Sequence, residues 1–144
     1  MSFTLTVKGA ETLTYGQTMI SAANVAIDTP NNSMARSTDM AITLHISGKL
    51  LATDKKEAGN SPTSQLFEWS KTPAINPDAY RDVTVNVFSE AAYGFAETPF
   101  RAIHLPNAFV VNYSERYSDL KGIGEFLLTL RQKADKVTDV KSNK

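Results

Sequence analysis

The chain contains no cysteine among its 144 residues. This absence excludes disulfides, thiolate catalysis, iron–sulfur clusters and thiolate zinc sites. An excess of one charge is also missing, because 15 lysine and arginine residues balance 15 aspartate and glutamate residues. A balanced chain lacks the positive field that holds a nucleic-acid backbone, so nucleic-acid binding is not expected.

Long apolar runs are missing as well. No stretch of about 18 apolar residues occurs, which argues against insertion into a membrane. The opening "MSFTLTVKGAETLTYG" alternates between apolar and polar residues and does not place an apolar block after a basic region, so it does not resemble a secretory signal peptide. These features predict a protein made in the cytoplasm, which would leave the cell only through another machine.

What the chain has instead is alternation of apolar and polar residues, the pattern of half-buried β-strands. The strands predicted from it cover residues 3–8, 11–15, 19–27, 40–47, 81–88, 100–105, 108–113 and 123–132. Pro106 and Asn107 interrupt the pattern and predict a break or a bulge. Residues 28–39 are polar and aperiodic, which predicts a loop long enough to be functional.

One short helix is predicted through residues 64–71, with Ser61 or Thr63 as its N-cap and Pro73 beyond its end. Many short strands with at most one helix predict a single mainly β domain over residues 1–133, either an antiparallel barrel or a sandwich. Residues 134–144 contain few apolar side chains and are predicted to form a flexible C-terminal tail.

Candidate catalytic groups are scarce. His45 lies on the polar face of its strand, and His104 has no acidic or histidine partner at ligand spacing. The carboxylates are scattered, so none forms an evident acid–base pair. The sequence therefore predicts neither an enzyme nor a metal or cofactor site. A hydrolase would require one of the two histidines to contact both a serine and a carboxylate.

The closing segment "FRAIHLPNAFVVNYSERYSDLKGIGEFLLTLRQK" resembles the last strands of the haemolysin-coregulated protein (Hcp) family, the tube protein of type VI secretion systems. The matching positions are Leu105, Ala108, Phe109, Val110, Val111, Tyr113, Glu115, Phe126, Leu128 and Leu130. Upstream, "IDTPNNSMARSTDMAITLHISG" is similar to a family loop that leads into a long strand, although the family glycines are missing. Phage tail-tube proteins share this architecture.

The resemblance implies a small antiparallel β-barrel with one short α-helix. It implies a structural subunit that forms hexameric rings, and these stack into a hollow tube for effector delivery. Expected partners are further copies of the chain, sheath, baseplate and spike proteins, and effector cargo in the lumen. Nucleic acid is not expected outside a phage tail. The protein would assemble in the cytoplasm and be exported through the contractile apparatus without a signal peptide.

Apolar residues on both faces of the last two strands indicate that a neighbouring subunit covers the second face. Val110 and Leu127 are predicted to lie opposite Val111 and Leu128 and to be covered in this way. The loop at 28–39 is predicted to reach the next ring. The predicted subunit or ring-stacking interface comprises Asp28, Asn31, Asn32, Ser33, Met34, Arg36, Val110 and Leu127.

A second hypothesis is a monomeric β-barrel or sandwich that binds a sugar or a peptide. Its ligand would stack on aromatic loop residues, for which Tyr93, Phe95, Tyr113 and Tyr117 are the candidates. The two hypotheses differ in what covers the second face of the sheet: another copy of the chain in the first, and solvent in the second.

Overall fold

Antiparallel strands make up most of the structure, a computed structural model that describes residues 1–29, 40–50, 62–91, 94–95, 98–119 and 124–143. Within these ranges the strands are β1 (Ser2–Lys8), β2 (Thr12–Asp28), β3 (Ala41–Leu50), β4 (Arg81–Phe88), β5 (Glu90–Ala91), β6 (Gly94–Phe95), β7 (Arg101–Arg116), β8 (Gly124–Gln132) and β9 (Lys141–Asn143). The helices are α1 (Pro62–Ser70) and two short 3₁₀ helices, Pro77–Ala79 and Ala134–Asp139.

Six of these strands close into a barrel. Their order is β4-β1-β2-β3-β8-β7, and β4 also pairs with β7, which joins the two ends of the sheet. Every pair is antiparallel. The predicted mainly β architecture is confirmed, and the closing pair decides for a barrel over a sandwich.

The barrel interior is filled by the apolar residues that alternate along the strands. Leu13 and Tyr15 share a buried face in β2, as predicted, and so do Ile42, Leu44 and Ile46 in β3. The core also takes residues from every other barrel strand and from α1. These include Leu5, Val7, Val83, Val85, Leu105, Phe126, Leu128, Leu130, Leu66 and Trp69.

Two strands are longer than the sequence pattern predicts, because bulges carry them across local breaks. β2 runs without interruption from residue 12 to residue 28 across the predicted gap at residues 16–18. There Leu5 pairs with Tyr15 but Phe3 pairs with Ile20, so β2 holds three extra residues opposite β1. β7 runs through the predicted break at Pro106 and Asn107. Arg81 pairs with Ala108 but Val83 pairs with Leu105, so β7 holds one extra residue there, which is the predicted bulge.

The same bulge, together with a second register shift in β7 between Val110 and Asn112, reverses one predicted face. Val110 pairs with Leu130 and packs against the core, whereas Val111 is 45% exposed, the opposite of the predicted orientation. A bulge turns the following residues to the other face of the sheet, so the alternation of residues 108–113 cannot be extrapolated from the preceding strand. In β8 the predicted faces are correct, since Leu127 is 58% exposed and Leu128 is buried.

Helix α1 covers an open end of the barrel. It contacts β2 and β7, which lie on opposite sides of the six-stranded ring. Leu66 and Trp69 are its buried residues. The helix begins at Pro62, so Thr63 lies inside its first turn and is not the N-cap, while Ser61 falls outside the described residues. None of the helices within the described ranges is long and apolar enough to span a membrane.

The residues after Lys133 differ from the predicted tail. They form a 3₁₀ helix that buries Val137 in the core, followed by β9, which pairs with β7 at Ala102, Ile103 and His104. The Gln132 side chain also donates a hydrogen bond to the Lys136 carbonyl at 3.1 Å. One buried valine and three paired residues thus hold a segment whose composition alone suggests fraying.

A titration prediction follows from Tyr15, whose side chain lies in the core. Burial raises the pKa of its phenol well above the ordinary value of 10.0, because the phenolate would lose its hydration, and the nearby Arg81 offsets only part of this. The folded pKa lies above the unfolded one, so this stabilisation is complete below about pH 10 and is lost as the pH rises through the folded pKa. The free energy of unfolding should therefore fall above about pH 10.

Urea unfolding between roughly pH 8 and 11 measures this slope. Tyr15→Phe is the matched variant, and its slope should be shallower. Burial and the hydrogen bond to Glu115 also raise the pKa of Tyr113, so some slope should persist in the variant. Identical slopes in the two proteins would contradict the assignment to Tyr15.

Candidate assembly surface

Two strand edges are left without a strand partner in the part of the chain that the structure describes. β1 pairs with β2 only as far as Ile20, so residues 21–28 of β2 have β3 on one side and no strand on the other. β4 pairs with β7 only as far as Ala108, so residues 109–116 have β8 on one side alone. Unpaired edges of this kind are templates for pairing with another strand.

Both free edges belong to one sheet. We name it the assembly sheet and define it as residues 21–28 of β2, β3, β8 and residues 109–116 of β7. Its neighbouring strands are antiparallel throughout, so its two outer strands run in opposite directions. Two copies related by a rotation can therefore place the β7 edge of one beside the β2 edge of the next in antiparallel orientation.

One face of the assembly sheet points away from the barrel core and carries mostly polar and charged residues, with small polar ones at its centre and Lys49, Glu125 and Arg131 nearer its ends. Two rows of cross-strand neighbours define it. They are Ala22–Ser47–Leu127–Ser114 and Asn24–His45–Thr129–Asn112. His45 Nδ1 lies 3.2 Å from Thr129 Oγ1. Leu127 is the large apolar residue in these two rows, and the next row, Ala26–Thr43–Arg131–Phe109, adds Phe109 to the same face.

The core-side face of β2 has uncovered apolar residues. Val25 pairs with the buried Leu44, and Ile27 pairs with the buried Ile42. Directly opposite residues share a face, so Val25 and Ile27 also point to the core side. They are nevertheless 39% and 60% exposed, because β1 pairs with β2 only as far as Ile20 and does not lie alongside them.

A groove of about 170 Å³ lies beside the free edge of β7. Its lining residues are Trp69, Ser70, Thr72, Ala74, Ala79, Tyr80, Phe109 and Val110. The groove exists because the chain before β4 turns into the 3₁₀ helix Pro77–Ala79 and does not continue alongside β7.

Local contacts hold the groove walls in place. Trp69 Nε1 donates a hydrogen bond to the Ala79 carbonyl at 3.0 Å, and the Arg81 guanidinium lies 5.0 Å from the centre of the Trp69 ring. Tyr80 and Phe109 meet edge to face, with ring centres 5.9 Å apart.

The predicted interface residues fall in different places. Asp28 is exposed at the end of the β2 free edge, Val110 is in the groove wall, and Leu127 is on the polar face. The predicted loop residues Asn31, Asn32, Ser33, Met34 and Arg36 lie outside the described residues. The sequence reasoning missed Val25 and Ile27, although alternation in "NVAID" carries the signal.

The histidines do not form a hydrolase site in the described part of the chain. His104 Nε2 lies 2.5 Å from Asp82 Oδ1, a partner that the β4–β7 pairing brings within reach across 22 residues of sequence. His45 contacts Thr129, and no serine joins either histidine within the described ranges. Nor do three potential metal-ligating side chains cluster there.

Two of the aromatic candidates for a ligand platform are engaged internally. The hydroxyls of Tyr113 and Tyr117 both donate hydrogen bonds to the Glu115 carboxylate. The ring of Tyr113 also packs on Phe67 and Phe126, with ring centres 6.3 Å from each. Tyr113 is thus a packing residue. Tyr93 and the side chain of Phe95, the other candidates, lie outside the described part.

Comparison with known proteins gives matches in structure alone. No model of a protein family matches the sequence, and no curated protein does. The structure of a mutant of the Hcp1 protein from the E. coli EAEC 042 pathovar is similar over 99% of this chain and 97% of its own, with a TM-score of 0.59 and 12% identity. The chain has the Hcp-like fold.

Chains from two larger assemblies share the Hcp-like fold. A chain of the anti-feeding prophage baseplate matches with a TM-score of 0.57 at 13% identity, over 99% of this chain and 92% of that one. A chain from the PVC sheath/tube terminator of an extracellular contractile injection system matches with a TM-score of 0.52 at 14% identity, over 99% and 94%. The fold implied by the sequence resemblance is therefore confirmed.

Proposed function

We propose that this protein is a structural subunit of the inner tube of a contractile injection system and is not an enzyme. The observation that supports this most strongly is the pair of free edges on the assembly sheet, which run in opposite directions. Pairing the β7 edge of each copy with the β2 edge of the next satisfies both edges by one repeated contact. Such a head-to-tail contact closes into a ring when the rotation between copies divides a full turn.

The shape of the subunit decides which face would line the channel. β1, β4 and α1 all lie on the core side of the assembly sheet. The outside of a ring has more room than the inside, so β1, β4 and α1 would lie on the outside. The face with Ser47, Asn24, His45 and Thr129 would then line the channel, and its polar and charged side chains suit a wet surface.

We propose hexameric rings that stack into a hollow tube. The anti-feeding prophage baseplate, which contains a chain of this fold, was solved with sixfold symmetry. The loop at 28–39 leaves the free end of β2 beside Asp28, and we assign it to contacts with the next ring. Sheath, baseplate and spike proteins are the proposed partners, with effector cargo in the lumen. Assembly in the cytoplasm and export through the apparatus complete this proposal.

Size-exclusion chromatography with light scattering, followed by negative-stain electron microscopy, tests the proposal on the full chain. The expected particle is a ring with a mass six times that of the 15.8 kDa subunit, and some rings should stack into tubes. A monomer at the highest attainable concentration, without rings in the images, would overturn the proposed function and favour the monomeric binding module.

Leu127 provides a prediction about the channel. Its cross-strand neighbours are Ser47 and Ser114, so the edge-paired ring places it in the channel, whereas the sequence pattern predicts it within a subunit contact. Leu127→Ser should therefore leave ring formation unchanged and alter the free energy of unfolding by less than about 0.5 kcal/mol. Light scattering compares ring formation by the wild type and the variant. Loss of rings in the variant would show that Leu127 lies in a subunit contact and not in the channel.

A further inference from the structure

We propose that Val25 and Ile27 of one copy fill the groove beside β7 of the next copy, so that each groove is completed by its neighbour. This inference rests on the tube-subunit function proposed above and specifies the contact that joins two subunits. The occupant of the groove is thus a second copy of this chain.

The groove matches an aliphatic side chain in size and chemistry. Its walls include the rings of Trp69, Tyr80 and Phe109 and the aliphatic side chain of Val110. Its volume of about 170 Å³ is close to the roughly 150 Å³ of an apolar cavity that holds a benzene-sized molecule.

The two apolar residues that lack cover lie at the other free edge of the same sheet. Val25 and Ile27 are two residues apart in β2, so they point to the same side. That side is the core side, where the end of β1 leaves them exposed. Each subunit therefore has uncovered apolar side chains at one edge and an apolar groove at the other.

Edge pairing would bring these two features together. Val110 is on the core side of β7, and the buried Trp69 and Ala79 of the groove wall lie on that side too, whereas Phe109 pairs with Arg131 and closes the groove from the other face. The groove therefore opens at the free edge of β7, toward the core side of the sheet. When a second copy adds its β2 along residues 109–116, the two core-side faces are continuous. Val25 and Ile27 of the added strand then lie over the groove, while its polar residue Asn24 stays on the opposite face.

Replacing Ile27 with aspartate tests the contact by charge. Burying an unpaired carboxylate in an apolar groove is costly, so we expect each subunit contact to weaken at least about tenfold and rings to give way to monomers. Phe100→Asp is the control, because Phe100 is an exposed apolar residue outside both free edges, and this variant should still form rings. Circular dichroism confirms that both variants are folded, and light scattering measures assembly.

Cysteine cross-linking tests the contact by distance, and the chain suits it because it has no cysteine of its own. Ile27→Cys is combined in turn with Ser70→Cys, Thr72→Cys and Ala74→Cys, all in the groove wall. A disulfide within one copy leaves a monomer on a non-reducing gel, whereas disulfides between neighbouring copies link several chains, so only a ladder reports the contact between copies. Mild oxidation should therefore give a covalent ladder that ends at the closed ring.

The matched control is Ile27→Cys with Lys71→Cys, because Lys71 adjoins the groove residues in sequence but does not line the groove. It should give no ladder. If wild-type rings form but none of the three pairs cross-links and Ile27→Asp still assembles, the groove contact is overturned while the tube function stands. If wild type forms no rings and no pair cross-links, the tube function fails and the groove contact fails with it.

Discussion

Replacing Trp69 with alanine should lower the free energy of unfolding by about 3–5 kcal/mol. Trp69 is one of the largest fully buried side chains and joins the helix that covers the barrel end to the chain before β4. Its loss would leave a cavity, remove the donor that satisfies the Ala79 carbonyl, and take away the ring beneath the Arg81 guanidinium. Denaturant unfolding monitored by circular dichroism measures the change, because the variant has no tryptophan fluorescence.

Two further variants are useful for comparison: Trp69→Phe separates packing from hydrogen bonding, and Phe67→Ala removes a neighbouring aromatic side chain. Trp69→Phe keeps a ring in the core but loses the indole N–H, so it should cost about 1–3 kcal/mol. Phe67→Ala removes a neighbouring aromatic residue from the exposed side of α1, where its edge-to-face contact with Tyr113 is worth about 0.5–1.5 kcal/mol. A loss below about 1 kcal/mol for Trp69→Ala would contradict the role assigned to this residue.

Much of the fold follows from local patterns in the sequence. The alternation in β1, β4 and β8 predicts these strands and their buried faces, because one side of each packs on the core and the other meets solvent or a neighbour. The pattern of Leu66 and Trp69 likewise predicts α1. Closure of the barrel does not follow from any local pattern, since it depends on the pairing of β4 with β7.

The errors arise where a single residue changes the register. The bulge at Pro106 and Asn107 is visible in the sequence, but its effect on the faces of Val110 and Val111 is not. The alternation on either side of a bulge looks the same whichever face it presents. The C-terminal segment differs for another reason: Val137 alone enters the core, and one apolar residue among polar ones gives no periodic signal.

The candidate assembly surface was likewise predictable from the sequence only in part. The resemblance to tube proteins and the apolar residues on both faces predict a self-assembling sheet, and they select Leu127 as an exposed residue correctly. The free edges can be recognised only from the pairing register. β1 lies along only part of β2, and β4 lies along only part of β7. Val25 and Ile27 become recognisable as uncovered apolar residues once the extent of the β1–β2 pairing is known.

Adding a side chain at Gly48 should destabilise the barrel by overpacking its core, whereas Trp69→Ala destabilises it by leaving a cavity. Gly48 pairs with Phe126 on one side and Ile20 on the other. A Cβ atom there would lie 2.3 Å from Phe126 Cε1 and 2.9 Å from the backbone oxygen of Met19. Since the ring is buried and the oxygen is part of the backbone, neither can move freely. Gly48→Val should cost about 3 kcal/mol, the upper end of typical overpacking losses.

Gly16→Val is the matched control, also in a barrel strand, because a Cβ at Gly16 meets nothing within 4 Å. It should change stability by less than about 0.5 kcal/mol, and equal losses in the two variants would contradict the steric explanation. Gly48 also lies where β2 leaves β1 and begins its free edge, next to the shift between Ile20 and Ala22. Any displacement of Met19 or Phe126 would move that edge and weaken the contact between copies. In light scattering on dilution, rings of Gly48→Ala should therefore dissociate at a higher protein concentration than wild-type rings.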